Sequence, residues 1–214
     1  MKGGAQTEFL DRARLLLKEA GISMPESAVD RLERHVSLVR DFNRVVGVVS
    51  RAEVDHLWER HVVDALSLAP LVRRYAGKGA SLLDIGSGGG FPALPLKVVL
   101  PDLQVTLLER AEGKIGFLRK AVAALGLEDV LILHGAFPAA VAGMTPSVIT
   151  ARAVERPEGL QKDILSFITK GAVYLCQSSV NFGDDVEVLP VNDGWSDAGL
   201  RRGTLRVVRR RDSS

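Results

Sequence analysis

The chain has 214 residues, 46% of them hydrophobic, so it can bury a substantial core without a metal or disulfide staple. Its single cysteine, Cys176, excludes an internal disulfide framework and indicates a reducing, cytoplasmic setting. The formal net charge is only +2. We find neither a signal peptide nor an apolar run near the roughly 20 residues that span a membrane, so we expect a soluble intracellular protein.

The first third of the chain has the periodicity of helices. Apolar residues recur at three- and four-residue spacing from about Thr7 to Tyr75. Pro70 lies where it would bend or divide the last helical stretch. We therefore predict an N-terminal helical region over residues 1–76 that packs on a main domain over residues 77–214.

From Leu82 onward, short apolar runs alternate with helical stretches. This rhythm predicts a doubly wound, mainly parallel α/β sheet of Rossmann-like type, with ligands at the carboxyl ends of its central strands. No helix is predicted between the last two strands, which indicates an antiparallel hairpin at the sheet edge. The predicted strands are Leu82–Ile85, Val105–Glu109, Val130–His134, Val148–Thr150, Ala172–Gln177, Val186–Val191 and Thr204–Arg209, and the predicted helices are Pro92–Val99, Glu112–Leu125 and Pro157–Thr169.

A glycine-rich turn follows the first predicted strand. That strand runs into Asp84 and then into alternate glycines, Gly86, Gly88 and Gly90. Glycine lets a backbone turn sharply and approach a ligand closely, and a strand, a tight loop and a helix in series form a nucleotide-type cofactor site. Glu109 ends the next strand about twenty residues later, where an acid accepts hydrogen bonds from ribose hydroxyls.

The spacing of the glycines distinguishes two cofactor classes. A dinucleotide fingerprint has Gly or Ala five residues after the first glycine, and Phe91 occupies that position. The pattern Asp-x-Gly-x-Gly-x-Gly instead resembles motif I of the S-adenosylmethionine (SAM) methyltransferases, which implies SAM over NAD. Ser87 belongs to the same loop and is a further candidate cofactor contact. The alternative is a turn with a purely structural role.

Further segments extend this resemblance over roughly residues 25 to 180. They are Arg60–Leu66, Gly90–Leu96, Leu107–Glu109, Lys114–Arg119, Leu125–Glu128 and Thr150–Ala153. Together they are similar to the RsmG/GidB family, which methylates guanine N7 in 16S ribosomal RNA. The resemblance implies SAM as cofactor, S-adenosylhomocysteine as product and the small ribosomal subunit as partner. We expect a monomer, because no additional apolar helix stripe requires a partner.

The resemblance also implies roles for individual residues. Gly86 and Phe91 would contact SAM, and Phe137 and Pro138 occupy the positions that meet the adenine. Arg152 corresponds to an arginine beside the cofactor at the end of the fourth strand, and it is the candidate catalytic residue.

Arginine can hydrogen-bond guanine O6 or a phosphate while N7 stays free to attack. For Arg152, an ion pair with Glu155 or Glu109 is the structural alternative. Guanine N7 carries an exposed lone pair, so the reaction needs positioning of the reactants rather than a general base.

Basic residues provide the candidate RNA contacts. Lys114 and Arg119 recur at helical spacing after Glu109, and Arg201 and Arg202 begin an arginine-rich C-terminal stretch. Such clusters attract phosphate. A solvated helix face or a solvated tail is the alternative explanation of the same residues.

Several positions depart from the family pattern. Pro138 replaces an acid near the adenine, and Ser147 replaces an Asp before the fourth strand. Residues 47–49 read Gly-Val-Val instead of Asn-Leu-Thr, residues 175–177 lack a lysine, and Gly203 replaces an arginine. These differences leave open a SAM methyltransferase with a different RNA or small-molecule substrate, and a non-catalytic RNA-binding relative.

The remaining polar candidates have structural explanations. His61 and Asp64 lack a third ligand at a suitable spacing, so we expect no metal site, and we expect the pair to brace the helical region against the sheet. Cys176 falls in a predicted central strand, where a buried and inert thiol is expected. Packing or surface roles are expected for the other histidines, His35, His56 and His134.

Overall fold

The computed structural model of the chain describes residues 3–151, 157–176, 186–191, 194–201 and 204–211. Four α-helices, one 3-10 helix and one π-helix precede the first strand within the described residues. They are α1 (Gly3–Glu19), α2 (Glu26–Asn43), a 3-10 helix (Arg51–His56), a π-helix (Trp58–Val62), α3 (Val63–Leu66) and α4 (Ala69–Ala76). Pro70 lies in the first turn of α4, where its missing N–H has no helical partner to lose, so the proline divides the helical stretch.

The strands after the helical region are β1 (Ser81–Ile85), β2 (Gln104–Glu109), β3 (Val130–His134), β4 (Val148–Ala151), β5 (Val173–Cys176), β6 (Val186–Pro190) and β7 (Arg206–Arg210). The helices between and after them are α5 (Ala93–Val99), α6 (Glu112–Leu125), α7 (Pro157–Phe167) and α8 (Gly194–Asp197), with a 3-10 turn at Ala139–Val141. These elements form one seven-stranded sheet in the order β3-β2-β1-β4-β5-β7-β6. The first five strands are parallel, which confirms the predicted doubly wound fold.

The last two strands pair antiparallel, as predicted, but their connection differs from the prediction. The four-residue helix α8 lies between them, and β7 inserts between β5 and β6. Trp195 of α8 is buried, and its carbonyl accepts the backbone N–H groups of Leu200 and Arg201 at 2.8 and 3.2 Å. A single buried tryptophan within a short polar stretch carries no helical periodicity, so pattern analysis had no signal for this turn.

The helical region and the sheet share one apolar core. Leu32 of α2 and Leu66 of α3 belong to the same buried cluster as Leu82 of β1 and Leu107 of β2. The neighbouring Leu83 faces a second cluster on the other side of the sheet, because successive strand residues point to opposite faces. The division of the chain at residue 76 remains a prediction.

Cys176 belongs to this second cluster and is fully buried in β5, which confirms the predicted environment of the thiol. Within the described ranges, no helix is both long and apolar enough to cross a membrane.

Candidate active site

The loop after β1 is held against the end of β2 by its own backbone. Gly86 and Ser87 donate their N–H groups to the Leu108 carbonyl at 2.8 and 3.1 Å, and Gly90 donates to Ser87 at 2.7 Å. Gly88 has a φ of +50° and Gly90 has a φ of +79°, which a residue with a Cβ rarely adopts. The alternating glycines therefore form a tight turn at the carboxyl end of the central strand.

Neighbouring atoms also leave too little room for a side chain at two of the loop glycines. A Cβ on Gly88 would lie 3.2 Å from the Val48 carbonyl, and a Cβ on Gly90 would lie 2.5 Å from Cδ1 of Leu94. The loop is thus packed from one side by the helical region and from below by α5. Its backbone is what it can offer to a ligand.

Glu109 at the end of β2 is oriented by main-chain donors. Its Oε2 accepts the Gly88 N–H at 3.0 Å, and its Oε1 accepts the N–H groups of Arg110 and Ala111, each at 2.9 Å. The residue is only 5% exposed. These bonds fix the carboxylate beside the glycine loop, and Oε2, which accepts a single N–H group, can still accept a further hydrogen bond from a ligand hydroxyl.

Asp84 and Ser87 have structural partners within the fold. The Asp84 carboxylate is 1% exposed and accepts the Thr150 hydroxyl at 2.7 Å, across the β1–β4 pairing. The buried Ser87 hydroxyl donates to the Asp84 carbonyl at 3.0 Å. These side chains brace the point where the strand order reverses, so direct side-chain contact with a cofactor remains only a prediction for both.

The Phe91 ring faces the helical region. It stacks on the His35 ring with centroids 4.6 Å apart and contacts the His61 ring at 4.9 Å. The contact of His61 with this ring agrees with the bracing role expected for His61 and Asp64. Asp64 of the same segment is buried in α3.

His35 is a site residue that the sequence analysis assigned to a packing or surface role. Its side chain is fully buried, and its Nε2 lies 2.8 Å from the Gly89 carbonyl of the glycine loop. Burial lowers the pKa of His35 to about 4, and the nearby His61 acts in the same direction against the opposing bond to Gly89. The sequence signal that could have identified His35 is its position on the apolar face of α2, one turn after Leu32, where a titratable side chain is unusual.

The two residues predicted to meet the adenine follow β3 at the same edge of the sheet. Gly135 donates its N–H to the Glu109 carbonyl at 3.0 Å, which ties this loop to the end of β2. Phe137 is half-buried and packs edge-on against Phe167 at 5.3 Å, while Pro138 is exposed. An apolar ring is therefore available beyond Glu109.

The candidate RNA contacts have different environments. Lys114 lies half-buried in the first turn of α6, which starts at the carboxyl edge, and Arg119 is exposed further along the helix. Arg201 is only 5% exposed, and its Nη2 donates to the Ser196 hydroxyl at 2.9 Å and to the Val191 carbonyl at 3.3 Å. This placement argues against an RNA contact by Arg201 and gives it a role in holding the connection before β7.

Two candidate site residues, Arg152 and Arg202, lie outside the described residues, as does Gly203, one of the departures from the family pattern. Arg152 follows directly after β4, whose last residue is Ala151. Because β4 is parallel to β1, the chain leaves β4 at the same edge as the glycine loop.

Comparison with known proteins assigns the family. The family model described as rRNA small subunit methyltransferase G (GidB) matches residues 28–181. The chain belongs to the GidB family. The matched range agrees with the span over which the sequence motifs resembled that family.

Relatives that carry the name ribosomal RNA small subunit methyltransferase G include the following two proteins. The protein of Leuconostoc mesenteroides subsp. mesenteroides is 33% identical over 165 residues, which cover 74% of this chain and 68% of that protein. The protein of Neisseria meningitidis serogroup C is 35% identical over 146 residues, which cover 68% of each chain.

Among solved structures, the S-adenosylhomocysteine-bound methyltransferase PaMTH1 of Podospora anserina has a TM-score of 0.60 to this chain at 14% identity. The match covers 98% of this chain and 97% of that one. At this identity the likeness concerns the fold alone, and it agrees with the Rossmann-like assignment of the GidB chain.

Proposed function

We propose that this GidB-family chain transfers the methyl group of SAM to N7 of a guanine in 16S ribosomal RNA, in the cytoplasm. One observation carries the proposal. The Glu109 carboxylate is fixed by three backbone N–H groups beside the glycine loop, at the carboxyl edge of the sheet. In open α/β sheets, ligands bind at this edge, where the strand order reverses.

The residues at this edge fit SAM. Glu109 would accept hydrogen bonds from the ribose hydroxyls, and the backbone around Gly86 and Gly88 would hold the methionine part. Phe137 and Pro138 provide apolar surface for the adenine. SAM supplies an electrophilic methyl group on a positively charged sulfur.

The chain's own contribution is positioning. The N7 lone pair of guanine forms the new N–C bond as the C–S bond breaks, and the electron pair of that bond stays on sulfur. N7 bears no proton, so no residue has to act as a base. Alignment of nucleophile, carbon and sulfur supplies most of the rate enhancement.

Arg152 is the proposed contact to the reacting base. Its position directly after β4 brings the chain to the edge that carries Glu109, which supports a contact with guanine O6 or an adjacent phosphate. The guanine has to leave its stack to reach this edge. Lys114, Arg119 and Arg202 are the proposed contacts to the RNA backbone, with the small ribosomal subunit as partner and the chain acting as a monomer.

The test is transfer of labelled methyl from SAM to small ribosomal subunits that lack native guanine-N7 methylation, followed by mapping of the label. We expect label on N7 of a single guanine. Label on another RNA position or only on a metabolite would replace the substrate assignment. SAM binding without transfer to any RNA would mean that the substrate has changed, whereas neither binding nor transfer would favour the non-catalytic alternative.

Arg152→Ala, assayed in parallel, separates binding from chemistry. We expect SAM affinity close to that of the wild type and a loss of about 100-fold in kcat, typical for removal of one stabilising donor. Lys170→Ala, an exposed residue beyond α7, is the matched control and should leave both quantities unchanged. Full activity of the Arg152 variant would remove this residue from the mechanism.

A further inference from the structure

His35 interrupts the apolar face of α2 with a polar ring. Leu32 and Val36, its neighbours on that face, are fully apolar and buried, and the imidazole itself has no solvent exposure. Burying a polar ring costs free energy unless it is hydrogen-bonded. The bond that compensates this cost runs to the glycine loop, 54 residues away in sequence, and not to a neighbour within the helix.

The direction of that bond fixes the tautomer of His35. The Gly89 carbonyl can only accept, so Nε2 carries the proton and donates it over 2.8 Å. Nδ1 is then the unprotonated nitrogen, and it is buried without a hydrogen-bond partner among the described residues. Among the described residues, the ring therefore hydrogen-bonds to the Gly89 carbonyl alone.

The same ring also contacts the loop two residues further on. It stacks on Phe91 with an interplanar angle of 29°, and Phe91 in turn contacts His61 at 4.9 Å. The two loop contacts of His35 bracket Gly90, where a Cβ would lie 3.3 Å from Nε2. Together, the hydrogen bond to Gly89 and the stacking on Phe91 constrain the backbone position of residues 89–91.

His61 approaches Phe91 from a π-helical turn, a feature often found at functional sites. Its Nε2 lies 3.5 Å from a Glu53 carboxylate oxygen of the preceding 3-10 helix. Val48 touches the loop at Gly88. The helical region therefore contacts successive loop positions from 88 to 91.

We propose that His35 is a positioning residue for cofactor binding: together with His61, which also contacts Phe91, it holds residues 89–91 in the conformation that accepts SAM. This inference rests on the proposed SAM site. It makes cofactor affinity depend on the helical region, although His35 itself does not touch the reacting atoms.

The experiment measures the dissociation constant of SAM by calorimetry and the stability by urea unfolding for wild type and variants. His35→Ala removes both the bond and the stack, and we expect SAM binding to weaken about tenfold, the equivalent of roughly one net hydrogen bond plus ring contact. His35→Gln keeps an N–H donor, and His35→Phe keeps the ring. Each should recover part of the affinity, to within about threefold of wild type.

Val29→Ala is the matched control. Val29 is buried on the same helix, about 9 Å along its axis from His35. We expect this variant to lose stability while its SAM affinity stays within about twofold of wild type. In turnover assays, His35→Ala should raise KM for SAM and leave kcat at saturating SAM unchanged, which a general loss of core packing would not produce.

Unchanged affinity in the His35 variants, with SAM bound by the wild type, would overturn this inference alone. An equal loss of affinity in Val29→Ala would also overturn it. If His35→Ala does not fold, the comparison of His35→Gln and His35→Phe with Val29→Ala decides by the same criteria. A wild type that does not bind SAM would overturn the proposed function, and this inference with it.

Discussion

The two ends of the parallel strands use their charged residues in opposite ways. At the amino end, Asp102 pairs with the Arg73 guanidinium and accepts the Gly79 N–H at 2.8 Å. The bond to Arg73 holds the pKa of the Asp102 carboxyl well below its usual range. At the carboxyl end, Glu109 is held by backbone N–H groups, and none of the described residues bonds a cationic side chain to its carboxylate.

The amino end also contains a buried lysine. Lys97 of α5 donates to the carbonyls of Pro101 and Leu103 at 2.8 and 2.7 Å, which closes the turn into β2. Burial lowers the pKa of Lys97, partly offset by the carboxylates of Asp129, Asp102 and Glu128. Charges that satisfy one another maintain the fold, whereas a carboxylate oriented only by the main chain remains able to bind a ligand.

Replacing the carboxylate at each end by an amide is the most direct test of this difference. Glu109→Gln should weaken SAM binding about 100-fold, because the amide NH2 group at the Oε2 position cannot accept, and a charged hydrogen bond to ribose of up to about 3 kcal/mol is lost. Asp102→Asn is the matched variant at the amino end and should leave SAM affinity unchanged. Calorimetric titration measures both, and equal affinities in the two variants would contradict the division of roles.

Acid should loosen the helical contact to the glycine loop. The pKa of His35 falls from 6.5 to about 4 on folding. Between these values the unfolded state binds the proton and the folded state does not, so stability falls as pH decreases through this window and is fully present above it. The loss across the window is about 3 kcal/mol.

Urea unfolding of wild type and His35→Phe at pH 7 and at pH 4.5 checks this expectation. The phenylalanine variant lacks the titrating group, so its stability should depend less on pH. Parallel pH dependence in the two proteins would show that His35 is not the group responsible.

At the amino end, Lys97→Met should lower stability by about 2 kcal/mol. The methionine fills a similar volume, but the Pro101 and Leu103 carbonyls lose their donor. Urea unfolding gives the change in stability, and SAM titration should show no change in affinity. A variant as stable as the wild type would mean that water replaces the ammonium group.

The smallest effect is expected at the sheet edge. Arg209 and Glu187 pair at 2.6 Å across β6 and β7, and both side chains are about 40% exposed. Such pairs contribute little, so Arg209→Ala should cost about 0.5 kcal/mol or less and leave SAM binding unchanged. A loss several times larger in urea unfolding would assign this hairpin a greater share of the stability.

Features encoded by neighbouring residues could be predicted from the sequence. The glycine loop and Glu109 follow strands whose apolar runs are local, and both lie where expected at the carboxyl edge. Strand alternation also gave the doubly wound sheet, since the periodicity of two or 3.6 residues reflects the burial of one face.

Features that depend on distant contacts could not be predicted. His35 reaches the Gly89 carbonyl from another element, and nothing in its local sequence identifies that partner. Arg201 belongs to an arginine-rich stretch typical of RNA-binding tails, yet its guanidinium is buried against Ser196 and Val191. Charge patterning describes composition, but burial depends on how α8 packs.

The most direct test of the account is the structure of this chain with S-adenosylhomocysteine bound. We predict the ribose hydroxyls on the Glu109 carboxylate, the amino-acid part along the glycine loop and the adenine beside Phe137. The product bound instead at the amino end, in the cleft of about 570 Å³ lined by residues such as Arg31 and Lys78, would contradict the account.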